Sequence, residues 1–285
     1  MQIESLDFSH QDVLQKKFRQ LDLPLSEYSF ANLYLFRKLH RYEVVKIEEE
    51  MFIRGVTRDN IPFIMLTSYP TEISHRILRQ ALSLAEILFP VPENWLGLFD
   101  KFLEQASFKE ADSDYLYARS KLETYSGRHL DGKRNQIKQM LNQHDITIQN
   151  LSKRLEDAQQ ILNDWQEEKK KEKAETDYLS CQEGIQSFQR LNLQGKILDV
   201  DQKPSAFIIG ECLSKDCFAF HFCKALHSIK GLYPYLLQDA VQSLTGICPW
   251  INLEQDLGIP GLRESKLSYQ PDWLGKKWRL QLRLL

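Results

Sequence analysis

Three stretches of the chain gather side chains that chemistry needs. The richest runs from Trp250 to Tyr269 and holds Asn252, Glu254, Asp256, Gly258, Arg263, Lys266 and Tyr269. The pattern puts Asn252 at the end of a strand, the two carboxylates in the following loop, and Arg263 and Lys266 three residues apart on one face of the next helix. Such a grouping can position an amine or hydroxyl, accept its proton and hold an anionic donor. The plainer reading is a salt-bridge network that closes the domain.

The second stretch, His221 to Tyr233, ends a strand and opens a helix, and it carries Lys224, Lys230 and Gly231. Unpaired backbone N–H groups at a helix start bind phosphate, glycine lets the ligand approach and lysine adds charge. A single glycine makes a poorer cradle than a glycine-rich loop, and His221 and His227 more often pack or hydrogen-bond than act as bases or metal ligands. The third stretch places Lys133, Arg134 and Asn135 at the opening of a helix after Gly127 and Gly132. It reads as a grip for phosphate or carboxylate, or as a basic helix start packed on acidic neighbours.

The five cysteines are Cys181, Cys212, Cys217, Cys223 and Cys248, with no CxxC pair and no zinc-finger histidine spacing, so neither a disulfide framework nor a metal site is expected. Cys223 follows His221 on the same strand face, but a strand cysteine is usually buried and inert, and a cysteine nucleophile ranks last.

The positioning elements follow from periodicity and turn residues. Leu25 to His40 is expected to be a helix with Ser26 as its cap. Tyr42 to Ile47, Met51 to Gly55 and Pro62 to Leu66 read as an antiparallel meander, and helices are expected over Glu72 to Phe89 and Asn94 to Gln105, separated by Pro90 and Pro92. Asp145 to Arg190 looks like two long helices with a solvated Glu/Lys run, Glu167 to Glu175, at their junction. Strands at Lys196–Val200, Ala206–Cys212 and Cys217–Phe222 then lead to a helix at Tyr233–Ser243, a strand ending near Asn252 and a helix at Ile259–Ser268. This order is a mixed α/β layout. The expected division is an N-terminal domain over 1–145, a helical connection over 146–190 and the remainder of a C-terminal domain over 191–285.

A length of 285 residues suits two domains, and 42% hydrophobic with 27% charged residues is ordinary globular composition. The net charge of −2 gives no long-range pull on a polyanion, so any nucleic-acid contact must use local basic clusters. The start of the chain lacks a signal-like apolar run, and no stretch nears the roughly 18 apolar residues of a membrane span. A cytoplasmic protein with no integral membrane segment is expected.

The stretches YLYARSKLETYSGRHLDGKRNQIKQML, AFIIGECLSKDCFAFHFCKALHSIKGLY and INLEQDLGIPGLRESKLSYQP resemble a soluble bacterial family similar to the C-terminal catalytic domain of phosphatidylglycerol lysyltransferases. The resemblance implies two tandem acyltransferase folds of the GNAT type, related to the Fem transferases. It also implies an acyltransferase, with aminoacyl-tRNA or acyl-CoA as the donor substrate and no required cofactor. The acceptor would be an amine or hydroxyl, on a small molecule or a lipid headgroup, attacking directly. In that reading Glu254 or Asp256, with Asn252, serves the acceptor, while Lys230 and Gly231 contact donor phosphate. Arg263, Lys266 and Tyr269, with His221, Lys224, Lys133, Arg134 and Asn135, complete the substrate site. The expected partner is tRNA, and a monomer is favoured. Cys223 stands where the family leads one to expect an acid, and Leu253 where it leads one to expect an arginine. These departures keep open a catalytically inactive ligand-binding protein of the same fold.

Overall fold

The computed structural model describes every residue except Thr245, Leu284 and Leu285. The chain opens with β1 (Gln2–Ser5), α1 (Gln11–Leu21), α2 (Phe30–His40), β2 (Glu43–Ile47), β3 (Glu50–Val56), β4 (Pro62–Leu66), α3 (His75–Leu82), β5 (Ile87–Pro92) and β6 (Leu103–Phe108). It continues through β7 (Asp114–Ala118), α4 (Arg119–Thr124), α5 (Asp131–Gln143), β8 (Ile146–Asn150), α6 (Leu155–Lys169), α7 (Tyr178–Gln186), β9 (Gln194–Val200), β10 (Lys203–Ser214) and β11 (Cys217–Ala225). It ends with α8 (Leu232–Gln242), β12 (Trp250–Asn252), α9 (Pro260–Leu267), β13 (Trp273–Gly275) and β14 (Lys277–Leu282).

These elements form two compact units: 1–114 with 255–260 and 274–285, and 115–254 with 261–273. The boundaries expected after 145 and 190 fall elsewhere, because β7 pairs antiparallel with β12 and so draws 115–145 into the second unit. The segment 146–190 is likewise part of that unit and begins with a strand, β8, that pairs with β9.

Each unit is built on a mixed seven-stranded sheet, in the orders β1-β2-β3-β4-β5-β14-β6 and β13-β7-β12-β11-β10-β9-β8. In the first, β2 to β4 are the expected meander, with β1 paired antiparallel on β2, β5 added in parallel to β4 and β14 inserted between β5 and β6. The helix expected over 72–89 is the shorter α3 followed by β5, whose Pro90 and Pro92 cannot continue a helix. The one expected over 94–105 is a short 3-10 turn and then β6, which pairs with β14. Ser29 rather than Ser26 caps α2, accepting the Asn32 N–H at 3.1 Å.

Ser26 is used elsewhere. Lys277, with no exposed surface, sits at the centre of the first unit, its Nζ 2.7 Å from Asp114 Oδ1, 2.7 Å from Glu27 Oε2 and 3.0 Å from Ser26 Oγ. Asp114 also accepts the Ser26 backbone N–H at 2.7 Å. One ammonium faces two carboxylates, and the imbalance is visible at Glu27. Burial pushes its carboxyl up to about 7, Lys277 opposes that shift and Asp114 adds to it. Two residues along β14, Arg279 bonds both oxygens of Asp59 at 2.9 and 3.0 Å and also reaches Asp112. In the second unit β9, β10 and β11 bury long apolar runs against α6 and α8, and α7 packs on α6. Among the described residues no helix is long and apolar enough to cross a membrane.

Removing one partner from a buried ion cluster leaves the rest uncompensated, so Lys277→Met is expected to lower unfolding free energy at neutral pH by about 3–5 kcal/mol in urea titrations. A second measurement concerns Glu27. Its folded-state pKa lies above the ordinary value, so the native state holds a proton that the unfolded chain has lost between about 4.5 and about 7. Stability from this group therefore falls as pH rises through that window, by at most about 1.4 kcal/mol per pH unit. The pH–stability slope of Glu27→Gln should be flatter than that of the wild type there, and identical slopes would contradict the assignment.

Candidate active site

The second unit brings two of the expected residues together through a defect in its sheet. Along β10 and β11 the pairing runs Ile208 with Cys223 and Ile209 with Phe222, then skips to Gly210 with Phe220. His221 is the extra residue of this bulge, and a bulge re-aims a side chain without ending the strand. Gly210 permits it, since a Cβ there would lie 2.2 Å from the Ala219 carbonyl oxygen.

The redirected imidazole is fully buried between two carboxylates. Its Nδ1 is 2.7 Å from Glu254 Oε1 and its Nε2 is 3.0 Å from Glu211 Oε1. Burial alone would lower the pKa of His221, but Glu254 and then Glu211 outweigh it and raise the ring to about 10. At neutral pH His221 is therefore an imidazolium that donates from both nitrogens. It is not a base. It holds Glu254, whose side chain keeps 12% exposure, in a fixed orientation.

The backbone delivers Glu254 to this position. β11 and β12 pair in parallel for three residues, ending at Ala219 with Asn252, while β11 runs on to Ala225. The strands part there, and the β12 chain turns through Glu254 at a φ of 59°, in the left-handed region that a non-glycine residue seldom adopts. The buried Asn252 side chain accepts the Glu254 N–H at 2.6 Å and fixes the turn. Lys266 donates to the Leu253 carbonyl, and Tyr117 donates to the Lys266 carbonyl at 2.8 Å. Positive φ outside glycine costs on the order of 1–3 kcal/mol and persists where the surroundings over-determine it.

The remaining expected residues have varied settings. Asp256 lies in the first unit, fully buried, and accepts the Gly258 N–H at 2.7 Å. Lys224 is buried, with Nζ 2.7 Å from both oxygens of Asp177 and 4.0 Å from the Trp165 ring centroid. Arg134 is engaged by Asp131 and by the carbonyls of Tyr125 and Gly127, which closes the start of α5, and Asn135 is exposed beside it. Lys133 stands 4.2 Å above the ring of Tyr269, and burial lowers its pKa. The Tyr269 hydroxyl is buried without a hydrogen-bond partner. Lys230 is exposed and Arg263 half-buried. Gly231 starts α8 at a φ of 101°, and a Cβ there would meet the Gln136 carbonyl at 2.7 Å, so packing on α5 requires its glycine.

Leu253, in place of the expected arginine, is buried, and burial pushes the Cys223 thiol up to about 12, unsuited to nucleophilic attack. Among the described residues no group of three or more His, Cys, Asp or Glu side chains could hold a metal ion. The residue that sequence reasoning missed is Glu211. Its signal was present as a lone carboxylate in the apolar run AFIIGEC, since a charge inside a buried strand calls for a partner.

Comparison with known proteins places the fold and the family. A conserved protein of unknown function from Bacteroides thetaiotaomicron has the same fold, with a TM-score of 0.86 at 24% identity over 99% of each chain. The C-terminal domain of a putative lysylphosphatidylglycerol synthetase from Agrobacterium fabrum superposes with a TM-score of 0.65 at 13% identity, covering 95% of this chain and 92% of that one. L-PGS from Bacillus licheniformis gives 0.62 at 13% identity, covering 98% and 93%. No curated protein sequence matches the chain. The model of the family described as phosphatidylglycerol lysyltransferase, C-terminal, matches residues 18–281, nearly the whole chain, and the protein belongs to that family.

Proposed function

We propose that the protein is an acyltransferase that moves an aminoacyl group from aminoacyl-tRNA to an amine or hydroxyl acceptor in the cytoplasm. The observation that carries this reading is the Glu254 carboxylate, presented on a left-handed turn where β11 and β12 part and held by the His221 imidazolium. Membership of the lysyltransferase family supports the reaction class.

In this mechanism the acceptor attacks the ester carbonyl of the donor. A new amide or ester bond forms, the bond to the terminal ribose oxygen of the tRNA breaks, and that oxygen leaves as a hydroxyl after taking up a proton. Glu254 orients the acceptor and receives its proton as the nucleophile adds. Asn252, Glu211 and His221 act on Glu254, the first by fixing its backbone and the other two by fixing its carboxylate. The exposed Lys230, at the connection before α8, and Lys133 with Arg263 supply the positive charge that an anionic donor needs. The nucleophile belongs to the substrate, which agrees with a Cys223 thiol too weakly acidic to serve.

Incubation with tRNA charged with radiolabelled amino acid, beside parallel reactions with acyl-CoA, tests the donor. Amine, hydroxyl and phosphatidylglycerol acceptors are to be compared in each. Label transfer from the tRNA is expected, and consumption of acyl-CoA alone, or no turnover with either, would contradict the proposal. In the active reaction Glu254→Gln should reduce kcat by about 100-fold or more with a small change in acceptor KM, as loss of a general base does. Because His221 keeps its proton up to about 10, a wild-type rate assayed with a hydroxyl acceptor should show no histidine inflection near 6.5.

A further inference from the structure

Several cations of the second unit sit against carboxylates. Arg119 lies 2.5 Å from Glu123, Arg154 2.6 Å from Asp157 and Lys121 2.8 Å from Asp272. One segment departs from this habit. From Tyr125 to His144 the chain carries Arg128, Lys133, Arg134 and Lys138 but a single carboxylate, Asp131, in a protein whose acids outnumber its Lys and Arg by 39 to 37. Asp131 is taken by Arg134. Arg128 and Lys138 are exposed and meet no carboxylate among the described residues, and Lys133 rests on the Tyr269 ring. Lys230 joins the group, because the backbone of Gly231 packs against Gln136 of α5, and it too is exposed and unpaired among the described residues.

The rest of the exposed face of α5 is polar and neutral. Asn135, Gln136, Gln139, Asn142 and Gln143 are exposed, and no acid occurs from Gly132 to Gln143. A solvated helical face ordinarily mixes both signs, as the Glu167 to Glu175 run does. Arg134 and Lys138, one turn apart, instead set like charges side by side, which disfavours the helix until a counter-charge arrives. The same two cations line a recess of about 360 Å³ between α5 and Gln238 of α8. Cations and amides without carboxylates are the side chains that hold phosphate and sugar in nucleic-acid complexes.

We infer that the exposed face of α5, with Lys230, receives the sugar-phosphate backbone of an RNA; that this RNA is the donor tRNA rests on the acyl-transfer reading. The position of the face agrees. Lys133, in the first turn of α5, touches Tyr269 just after α9, and Lys266 of α9 donates to the carbonyl of Leu253, the neighbour of Glu254. An RNA held on α5 is thereby attached beside the elements that carry the candidate carboxylate. An anionic membrane matches the face less well, because interfacial helices set large apolar side chains opposite their cations, and of those on α5 only Leu141 is exposed.

The test measures binding of deacylated bulk tRNA to the whole protein over a range of salt concentrations, with vesicles of phosphatidylglycerol and phosphatidylcholine in parallel. Each cation withdrawn from a phosphate flattens the dependence of log affinity on log salt by about one, so Arg128→Gln/Lys138→Gln should flatten it by about two and weaken tRNA binding at least about fivefold. The variant Lys170→Gln/Lys171→Gln, at the end of α6 among carboxylates, removes the same charge and should bind tRNA as the wild type does. Equal weakening in the two variants, an unchanged salt dependence in the first, no binding of tRNA, or binding to the vesicles in its place would each overturn the inference. Label transfer separates this result from the acyl-transfer reading. Transfer from charged tRNA with the same KM in the wild type and in the Arg128/Lys138 variant would uphold that reading and refute the docking face. Binding of tRNA that weakens in the variant, without transfer by the wild type, would do the reverse.

Discussion

A single buried ammonium organises the first unit. Lys277 bonds to side chains at positions 26, 27 and 114, and reaches the Gln255 amide oxygen at 3.4 Å. Asp114 and Gln255 stand where the chain leaves and re-enters this unit, and β14 follows its second re-entry at Leu274. An unpaired charge in such a position would cost several kcal/mol, so these segments must come together around Lys277 or the unit cannot close. What looks in sequence like one more lysine in a Lys-Lys pair is the constraint that fixes where the chain may cross.

The second unit repeats the principle with the same signs. There a cationic ring lies between two carboxylates, one of which, Glu254, keeps 12% side-chain exposure. The difference has a chemical meaning. The first cluster is sealed inside its unit, whereas the second holds the partly exposed Glu254 side chain at a turn whose backbone is held on three sides by Asn252, Lys266 and Tyr115. Rigid presentation of one acidic group, with the supporting residues kept out of solvent, is what proton transfer to a bound substrate asks of a protein.

Much of the second unit was legible in the sequence, because β9 to β11 are apolar β-branched and aromatic runs with clear turns between them. The strand-to-loop passage from Asn252 to Glu254 was readable for the same reason. The link between His221 and Glu254 was not, since it spans 33 residues and depends on a one-residue bulge that leaves no periodic trace. The first unit was read less well. β5 carries two prolines, and β14 is a short charged segment, KWRLQL, in which only the alternation of Lys277 and Arg279 hints that both charges point to one buried face. Asp256 and Arg134 matched the pattern of ligand-binding residues, but a short carboxylate after a strand and an arginine at a helix start are also the usual means of fixing a turn, and both do so here.

The placement of β14 between β5 and β6 also sets an order on the molecule's assembly. A ribosome emits β1 to β6 long before residues 277–282, so the first sheet stays split between β5 and β6 until β14 has been made. The strands of the second sheet, ending with β13, all precede β14 in the chain. Until β14 arrives, the facing edges of β5 and β6 are the ones that need shielding from wrong strand partners.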